Sequence, residues 1–346
     1  MVTTTQSAAS NTTRILGSRV LLLPGLLIFA ILLVLCLMAS IMFGAADISP
    51  DTVIAALFNS DGSFNHLLIQ TVRLPRVLAG ALVGAGLAVA GAVMQGLTRN
   101  PLADSGILGI NAGAAFAVVI AVYVIGDPPL SVYAFFGFLG AGASAAIVYA
   151  LGSIGRGGAT PLRLTLAGVI LTSFVTSFTT AILISDKETL DKIRFWTAGS
   201  LAGRDMNLLL QTAPYILIGI VCTMFISRQL TTLSLGDDVA IGLGQNTFRV
   251  KAAAAVIVVL LAGGSVALAG PIGFVGLIVP HIVRFVVGVD YRWVIPYSAL
   301  TGAILVTIAD VAARIVIRPE ELPVGVMMAF FGAPFFIGLA RWKVKR

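Results

Sequence analysis

Two adjacent carboxylates, Asp237 and Asp238, mark the place where this sequence could do chemistry. They lie in the polar stretch LSLGDDVAIGLGQN (233–246), between two long apolar runs. A carboxylate pair can hold a magnesium ion, as in a membrane-embedded prenyl-transfer enzyme, but such a site needs a second acidic cluster, which the sequence lacks. The alternative is that the carboxylates cap a short helix in a wet loop. The sequence favours capping, and we predict no metal site.

No catalytic motif accompanies the carboxylate pair. The sequence contains no G-x-x-x-x-G-K-[ST] phosphate-binding loop, no H-E-x-x-H and no G-x-S-x-G. We therefore predict that the chain is not an enzyme, that it holds no cofactor of its own and that it does not hydrolyse ATP by itself.

The composition around this polar stretch is that of a protein surrounded by lipid. Hydrophobic residues make up 58% of the chain and charged residues only 11%, with a mean hydropathy of +1.02. A soluble domain carries about a quarter charged residues. We predict an all-α, polytopic membrane protein. The net charge of +7 does not indicate a nucleic-acid partner, because the basic residues are scattered between apolar runs and form no stripe.

Charge-free runs long enough to cross a bilayer, which takes about 20 apolar residues, define the predicted helices. They cover residues 20–46, 77–98, 105–126, 128–155, 164–185, 206–227, 252–283, 293–309 and 322–340. The run 252–283 is too long for one pass, and Gly270-Pro271 interrupts it, because proline breaks a helix interior. Ten transmembrane helices follow.

The distribution of charge predicts the orientation. With the N-terminus inside, cytoplasmic segments hold 14 of the 22 Lys and Arg residues, and the outer side holds 11 of the 15 acidic residues. We expect both termini and the segment 229–249 to be cytoplasmic. Residues 1–19 are predicted to form a disordered tail and 20–346 a single transmembrane domain. A short outer helix should begin after Ser49, a good N-cap, with Pro50 at its first position.

Small residues predict close helix contacts. Gly80 and Gly84 form a G-x-x-x-G pair, a spacing that lets helices approach each other closely in lipid. The spacing fits packing inside the bundle and a dimer face equally, so both interpretations stay open.

Two segments, 95–113 and 270–284, bring Gly, Pro and Asn to membrane depth. Irregular backbone is tolerated there only where it is buried in protein or lines an aqueous cavity. They follow RVLAGA (76–81) and RVKAAA (249–254) in opposite predicted senses, which indicates a weak inverted repeat. The candidate pathway residues are Asn100, Pro101, Pro271, Gly273, Pro280 and His281. Alternatively, these residues only hold helices together.

Five blocks of the sequence, in order, resemble the permease subunits of iron–siderophore, haem and cobalamin ABC importers, which are type II importers. The blocks are 73–115, 195–205 (FWTAGSLAGRD), 235–246, 270–284 (GPIGFVGLIVPHIVR) and 321–342. The resemblance implies ten helices per subunit, in a bacterial cell membrane. It also implies three kinds of partner: a second permease (a copy or a paralogue), a cytoplasmic ABC ATPase dimer that binds ATP and Mg, and an extracytoplasmic binding protein that delivers a metal chelate.

The resemblance also implies a role for the opening stretch. In that family the cytoplasmic segment after the sixth span is a pair of short helices that docks on the ATPase. The matching candidates for this coupling contact are Leu235, Gly236, Asp237, Ala240, Gly242 and Gly244. The alternative is a loop with only a structural role.

Arginines on the outer face receive carboxylates of the binding protein in that family. The matching residues are Arg73, Arg76 and Arg314. Arginine suits this task because its planar fork binds a carboxylate at two points. The rival interpretation is that Arg73 and Arg76 only anchor their helix at the membrane interface.

The predicted function is that of a permease subunit of an ATP-driven importer of metal chelates, with ferric siderophores ahead of haem and cobalamin. An ion-coupled secondary transporter is the main alternative, although no ionisable residue lies at mid-span, where such proteins need one. A membrane-embedded transferase is the weaker alternative.

Overall fold

The computed structural model describes residues 19–44, 47–154 and 160–344. Within these ranges the chain forms helices and no strand. The all-α prediction is therefore confirmed for the described residues. The predicted disordered tail, residues 1–19, lies outside them except for Arg19, so that prediction stays untested.

Within the described part of the chain, ten apolar helices make up the bundle, as predicted. Seven are long enough to cross a membrane and three are shorter. We number them as spans 1 to 10: Leu22–Met42, Phe64–Thr98, Ile110–Ile125, Leu130–Ser153, Pro161–Ser185, Met206–Phe225, Thr247–Ala269, Val275–Val287, Tyr291–Ile315 and Val324–Val344.

The connections between spans gather at two ends of the bundle, which we name after a residue at each. The Arg76 end holds the connecting residues 43–44, 47–63, 126–129, 186–205, 270–274 and 316–323, and the Asp237 end holds 99–109, 226–246 and 288–290. At each end a hydrogen bond joins the first turn of a span to a connection. Gly325 N donates to Gly199 O at 3.0 Å at the Arg76 end, and Tyr291 N donates to Thr231 Oγ1 at 3.1 Å at the Asp237 end.

Two short helices lie at the Arg76 end, outside the spans. The predicted helix after Ser49 is present as Pro50–Phe58, and the Ser49 hydroxyl accepts a hydrogen bond from Thr52 N at 3.4 Å. A second helix, Lys187–Thr197, begins where the carboxylate of Asp186 accepts from Thr189 N at 3.1 Å. Both helices start with a side-chain cap, as amphipathic helices outside a bundle often do.

Span 2 starts earlier than predicted, at Phe64 rather than at residue 77. The helix runs through a π-helical turn at Ile69–Arg73 and continues to Thr98. The charge-free criterion placed its start after Arg76 because that criterion treats every arginine as part of a loop. Here the arginines are buried by pairing within the protein, so the helix includes them.

Span 2 is the central helix of the bundle. Its most apolar stretch is 78% buried, against 11% for the corresponding stretches of spans 1 and 5, which therefore lie on the outside of the bundle. A side chain at Gly84 would place its Cβ 2.2 Å from the carbonyl oxygen of Gly302 in span 9, and one at Gly91 would place it 2.1 Å from that of Gly276 in span 8. The G-x-x-x-G pattern at Gly84 thus serves packing inside this bundle.

The predicted break at Gly270-Pro271 is confirmed. Span 7 ends at Ala269 and span 8 begins at Val275. Gly270 has a φ of +75°, and a Cβ there would lie 2.1 Å from the carbonyl oxygen of Trp196. Both facts require glycine at this position, because L side chains rarely adopt that conformation. The weak inverted repeat stays a prediction.

Candidate functional site

The opening polar stretch folds as two short helices at the Asp237 end, Ser227–Ser234 and Asp237–Gly242. Gly236, with a φ of +124°, makes the turn between them. Gly244, with a φ of +80°, follows the second helix. Glycine adopts these angles at little cost, so the two glycines set the shape of the segment. Gly242 has open space around its Cβ position.

Asp237 ties this segment to the bundle. Its Oδ2 accepts a hydrogen bond from Lys251 Nζ at 3.0 Å and lies 3.7 Å from Arg99 Nη2. Lys251 belongs to span 7, and Arg99 directly follows span 2. The carboxylate therefore links the short helices to the most buried helix of the protein, which is a more specific role than helix capping.

Large apolar side chains of the segment are exposed. We call them the coupling patch: Leu235, Val239, Ile241, Leu243 and Phe248. Leu243 and Phe248 are each 69% exposed. Apolar side chains grouped in this way on a polar segment are typical of a contact surface for another protein.

One predicted coupling residue has a different role. Ala240 is fully buried, so it cannot touch a partner directly and instead packs the second short helix onto the bundle. Leu235 is exposed as the prediction requires. Sequence reasoning missed Ile241, Leu243 and Phe248, although apolar residues in a charged loop were a signal for them.

The arginines predicted to dock a partner form a buried cluster at the Arg76 end. Arg76 donates through Nε and Nη2 to Asp310, at 3.1 Å and 2.9 Å to Oδ1, and through Nη1 to Glu321 at 2.6 Å. Arg314 Nη2 lies 3.1 Å from the other oxygen of Asp310. Arg314 Nη1 donates to Phe43 O at 2.8 Å.

Arg73 completes this cluster by donating through Nη1 to Ile41 O at 2.7 Å and to Met42 O at 3.1 Å. Arg73, Arg76 and Arg314 are all buried. In this conformation internal acceptors hold all three guanidinium groups. Their docking of a binding protein stays a prediction. The structure gives them the role of joining spans 1, 2 and 9. Asp310 is four residues from Arg314, but the other partners lie far away along the chain, so these contacts could not be read from the sequence.

The six candidate pathway residues do not form one cluster. Asn100 and Pro101 are exposed in a turn at the Asp237 end, where Asn100 Oδ1 accepts from Leu102 N at 3.0 Å. Pro271 and Gly273 lie at the Arg76 end, in the break between spans 7 and 8.

Pro280 and His281 both lie within span 8. Pro280 is buried, and the ring of His281 lies 5.0 Å from that of Phe285. A shared role for the six residues in a pathway stays a prediction.

Arg204, which sequence reasoning did not select, is a buried arginine that forms no ion pair within the residues that the structure describes. Its side chain lines a cavity of about 630 Å³ at the Arg76 end, together with Tyr133 and Trp196. Its Nε is buried and has no hydrogen-bond partner. No signal in the sequence separates Arg204 from other loop arginines, because its burial depends on the packing of three connections.

Comparison with known proteins identifies the family. The model of the FecCD transport family matches residues 32–342. The chain belongs to the FecCD transport family. YfiZ of Bacillus subtilis (strain 168), a probable siderophore transport system permease protein, is 47% identical over 319 residues, 92% of this chain and 95% of that protein. The ferric enterobactin transport system permease protein FepD of Escherichia coli (strain K12) is 39% identical over 328 residues, 95% and 97% of the two chains.

The fold of this FecCD-family chain is also found in a solved structure. An inward-facing conformation of a metal-chelate type ABC transporter superimposes with a TM-score of 0.81 at 29% identity, covering 92% of this chain and 99% of that one. The chain is thus a multi-pass membrane protein of a permease family. Among its described residues, no group of three His, Cys, Asp or Glu side chains is placed to hold a metal ion.

Proposed function

We propose that this chain is the permease subunit of an ATP-driven importer of metal chelates, with ferric siderophores as the substrate class. Membership of the FecCD family supports this proposal. So do two relatives: YfiZ, a probable siderophore transport system permease protein, and FepD, a ferric enterobactin transport system permease protein. The superimposed structure is described as a metal-chelate type ABC transporter, which supports the same class.

The observation that carries the proposal is the coupling patch at the Asp237 end. Its exposed apolar side chains stand next to Asp238 and Arg249, which are also exposed. Charged neighbours do not suit a surface turned towards lipid tails, so a soluble protein is the fitting partner. An ABC ATPase dimer in the cytoplasm is that partner, and it binds the ATP and Mg that this chain does not.

The proposed ATPase partner also determines the orientation of the chain in the membrane. The Asp237 end faces the cytoplasm, as the positive-inside rule predicts, and both termini lie on that side. The Arg76 end faces outward and meets the extracytoplasmic binding protein. A second permease, identical or paralogous, completes the translocation path.

The movement of the ATPase reaches the spans through the contacts of Asp237. When the ATPase pair closes on ATP, it moves the two short helices, and the links from Asp237 to Lys251 and Arg99 transmit that displacement to spans 7 and 2. Span 2 touches spans 8 and 9 through close glycine contacts, so these helices move with it as a packed unit. The path between two permeases then changes the side to which it opens.

Reconstituted uptake tests the proposal. Liposomes holding this chain, its ATPase and its binding protein should accumulate iron from a radiolabelled ferric hydroxamate only when hydrolysable ATP is present. A non-hydrolysable ATP analogue is the matched control and should give no uptake. Uptake by this chain alone on an ion gradient would identify a secondary transporter and refute the proposal.

A further inference from the structure

Arg204 is a buried cation without a counterion. Its side chain is 6% exposed, and within the described residues it has neither an ion pair nor a hydrogen-bond partner for Nε. Burial lowers its pKa to about 10, so the guanidinium still carries its charge near neutral pH. Burying an uncompensated charge costs several kcal/mol. An external anion would remove much of that cost.

The acidic side chains that line the same cavity form no ion pair with Arg204 among the described residues. Glu321 holds Arg76 at 2.6 Å. The charge of Asp127 acts on Lys192 instead. The pKa of Lys192 is raised first by its hydrogen bond to Glu188 and further by the charge of Asp127. Neither carboxylate contributes to the pKa of Arg204, which burial alone shifts.

The backbone on both sides holds Arg204 in place. Gly203 has a φ of +69°, a turn that favours glycine. Asp205 caps span 6 by accepting a hydrogen bond from Leu208 N at 2.8 Å. The backbone on both sides of Arg204 is therefore defined, and its buried side chain lines the cavity.

The cavity walls are partly aromatic. The rings of Tyr133 and Trp196 lie 6.3 Å apart between centroids, both residues are buried, and Phe195 also lines the space. A volume of about 630 Å³ is within the range of about 300–1,000 Å³ that is usual for small-molecule sites. The ligand chemistry indicated is an anionic head on an apolar body.

We propose that this cavity binds a small-molecule carboxylate, whose oxygens Arg204 holds while Tyr133, Phe195 and Trp196 contact its apolar body. The planar guanidinium fork matches a carboxylate at two points. The site lies within one chain, between the start of span 4 and three connections at the Arg76 end, so it requires neither the ATPase nor the binding protein. Its existence is independent of the proposed transport function.

Calorimetric titration of benzoate into the purified chain in lipid nanodiscs tests this site. Benzoate should bind the parent with a Kd of roughly millimolar or tighter. Benzamide, which has the same ring without the charge, should bind at least about tenfold more weakly. Arg204→Gln should weaken benzoate binding about 10- to 100-fold. Arg318→Gln removes an arginine at the same end but outside the cavity, and should not change it.

A folding defect is separated from loss of the site by two further measurements. Arg204→Lys keeps the charge without the fork and should give an intermediate affinity. Benzoate should raise the unfolding temperature of the parent and not that of Arg204→Gln. Equal benzoate binding by parent and Arg204→Gln, or equal binding of benzamide, would overturn the proposal. The proposal would also fail if the parent bound no benzoate and Arg204→Gln no longer bound the extracytoplasmic binding protein. Arg204 would then be a contact for that protein.

Discussion

At the scale of the residue, Asp310 holds the Arg76 end together. It is 2% exposed, and its two oxygens serve Arg76 from span 2 and Arg314 from its own helix. Removing one partner of a buried ion pair is far more costly than replacing the whole pair, because the remaining charge has no counterion. Asp310 is the counterion of two buried charges, those of Arg76 and Arg314.

Asp310→Asn should therefore destabilise the protein. The amide has nearly the same shape but no charge, so both guanidinium groups lose their main counterion. We expect a loss of about 3–5 kcal/mol in the free energy of unfolding. Thermal unfolding in detergent, together with the folded yield, measures it.

Asp47→Asn is the matched control for this change. Asp47 pairs with Arg318 at 3.2 Å on the surface, where solvent screens the interaction, so little change is expected. If Asp310→Asn were as stable as the parent, the three arginines would not depend on internal pairing, and the docking interpretation would be favoured.

At the scale of the element, glycine contacts decide how span 2 sits in the bundle. The sequence indicated small-residue packing at Gly80 and Gly84 but could not name the partner. Gly302 lies in span 9, and only the folded chain shows that the two backbones touch. A Cβ on Gly80 would instead lie 3.1 Å from the Leu201 side chain, a contact that a flexible side chain can relax.

Gly84→Ala should disturb the contact between spans 2 and 9. The added methyl would lie 2.2 Å from a backbone carbonyl oxygen, which cannot move without shifting the helix. We expect a cost of about 1–3 kcal/mol from overpacking, read as a lower unfolding temperature.

Gly142→Ala, in span 4, is the control for Gly84→Ala. Its Cβ would meet nothing closer than Val259 Cγ1 at 3.7 Å, so it should be tolerated. If Gly84→Ala kept its stability but lost self-association in gel filtration, the glycine would belong to a dimer face instead.

At the scale of the whole molecule, the sequence predicted the features that the bilayer dictates. Membrane thickness fixes the length of an apolar run, so the number of spans and the break at Gly270 followed from hydropathy and proline. The true start of span 2 did not, because the acceptors that hold Arg73 and Arg76 are distant in sequence. Arg204 was missed for the opposite reason: only the fold shows that a loop arginine is buried and unpaired.

The coupling patch was predicted only in part, again because burial is a property of the fold. The segment and its glycine turns were visible in the sequence. The sequence did not show which apolar side chains point outward. Buried Ala240 was therefore selected, and exposed Leu243 was missed. The central claim about the molecule is that an ATPase binds the coupling patch and moves the bundle through Asp237.

Affinity of the purified ATPase for the nanodisc-held chain tests that claim most directly. Leu243→Asp should weaken the complex at least about tenfold, because a charge replaces an exposed apolar contact. Phe58→Asp, an equivalent change at a residue 79% exposed at the other end, should leave the affinity unchanged. If the ATPase bound Leu243→Asp as tightly as the parent, the claim that the ATPase acts on the bundle through the coupling patch would be contradicted.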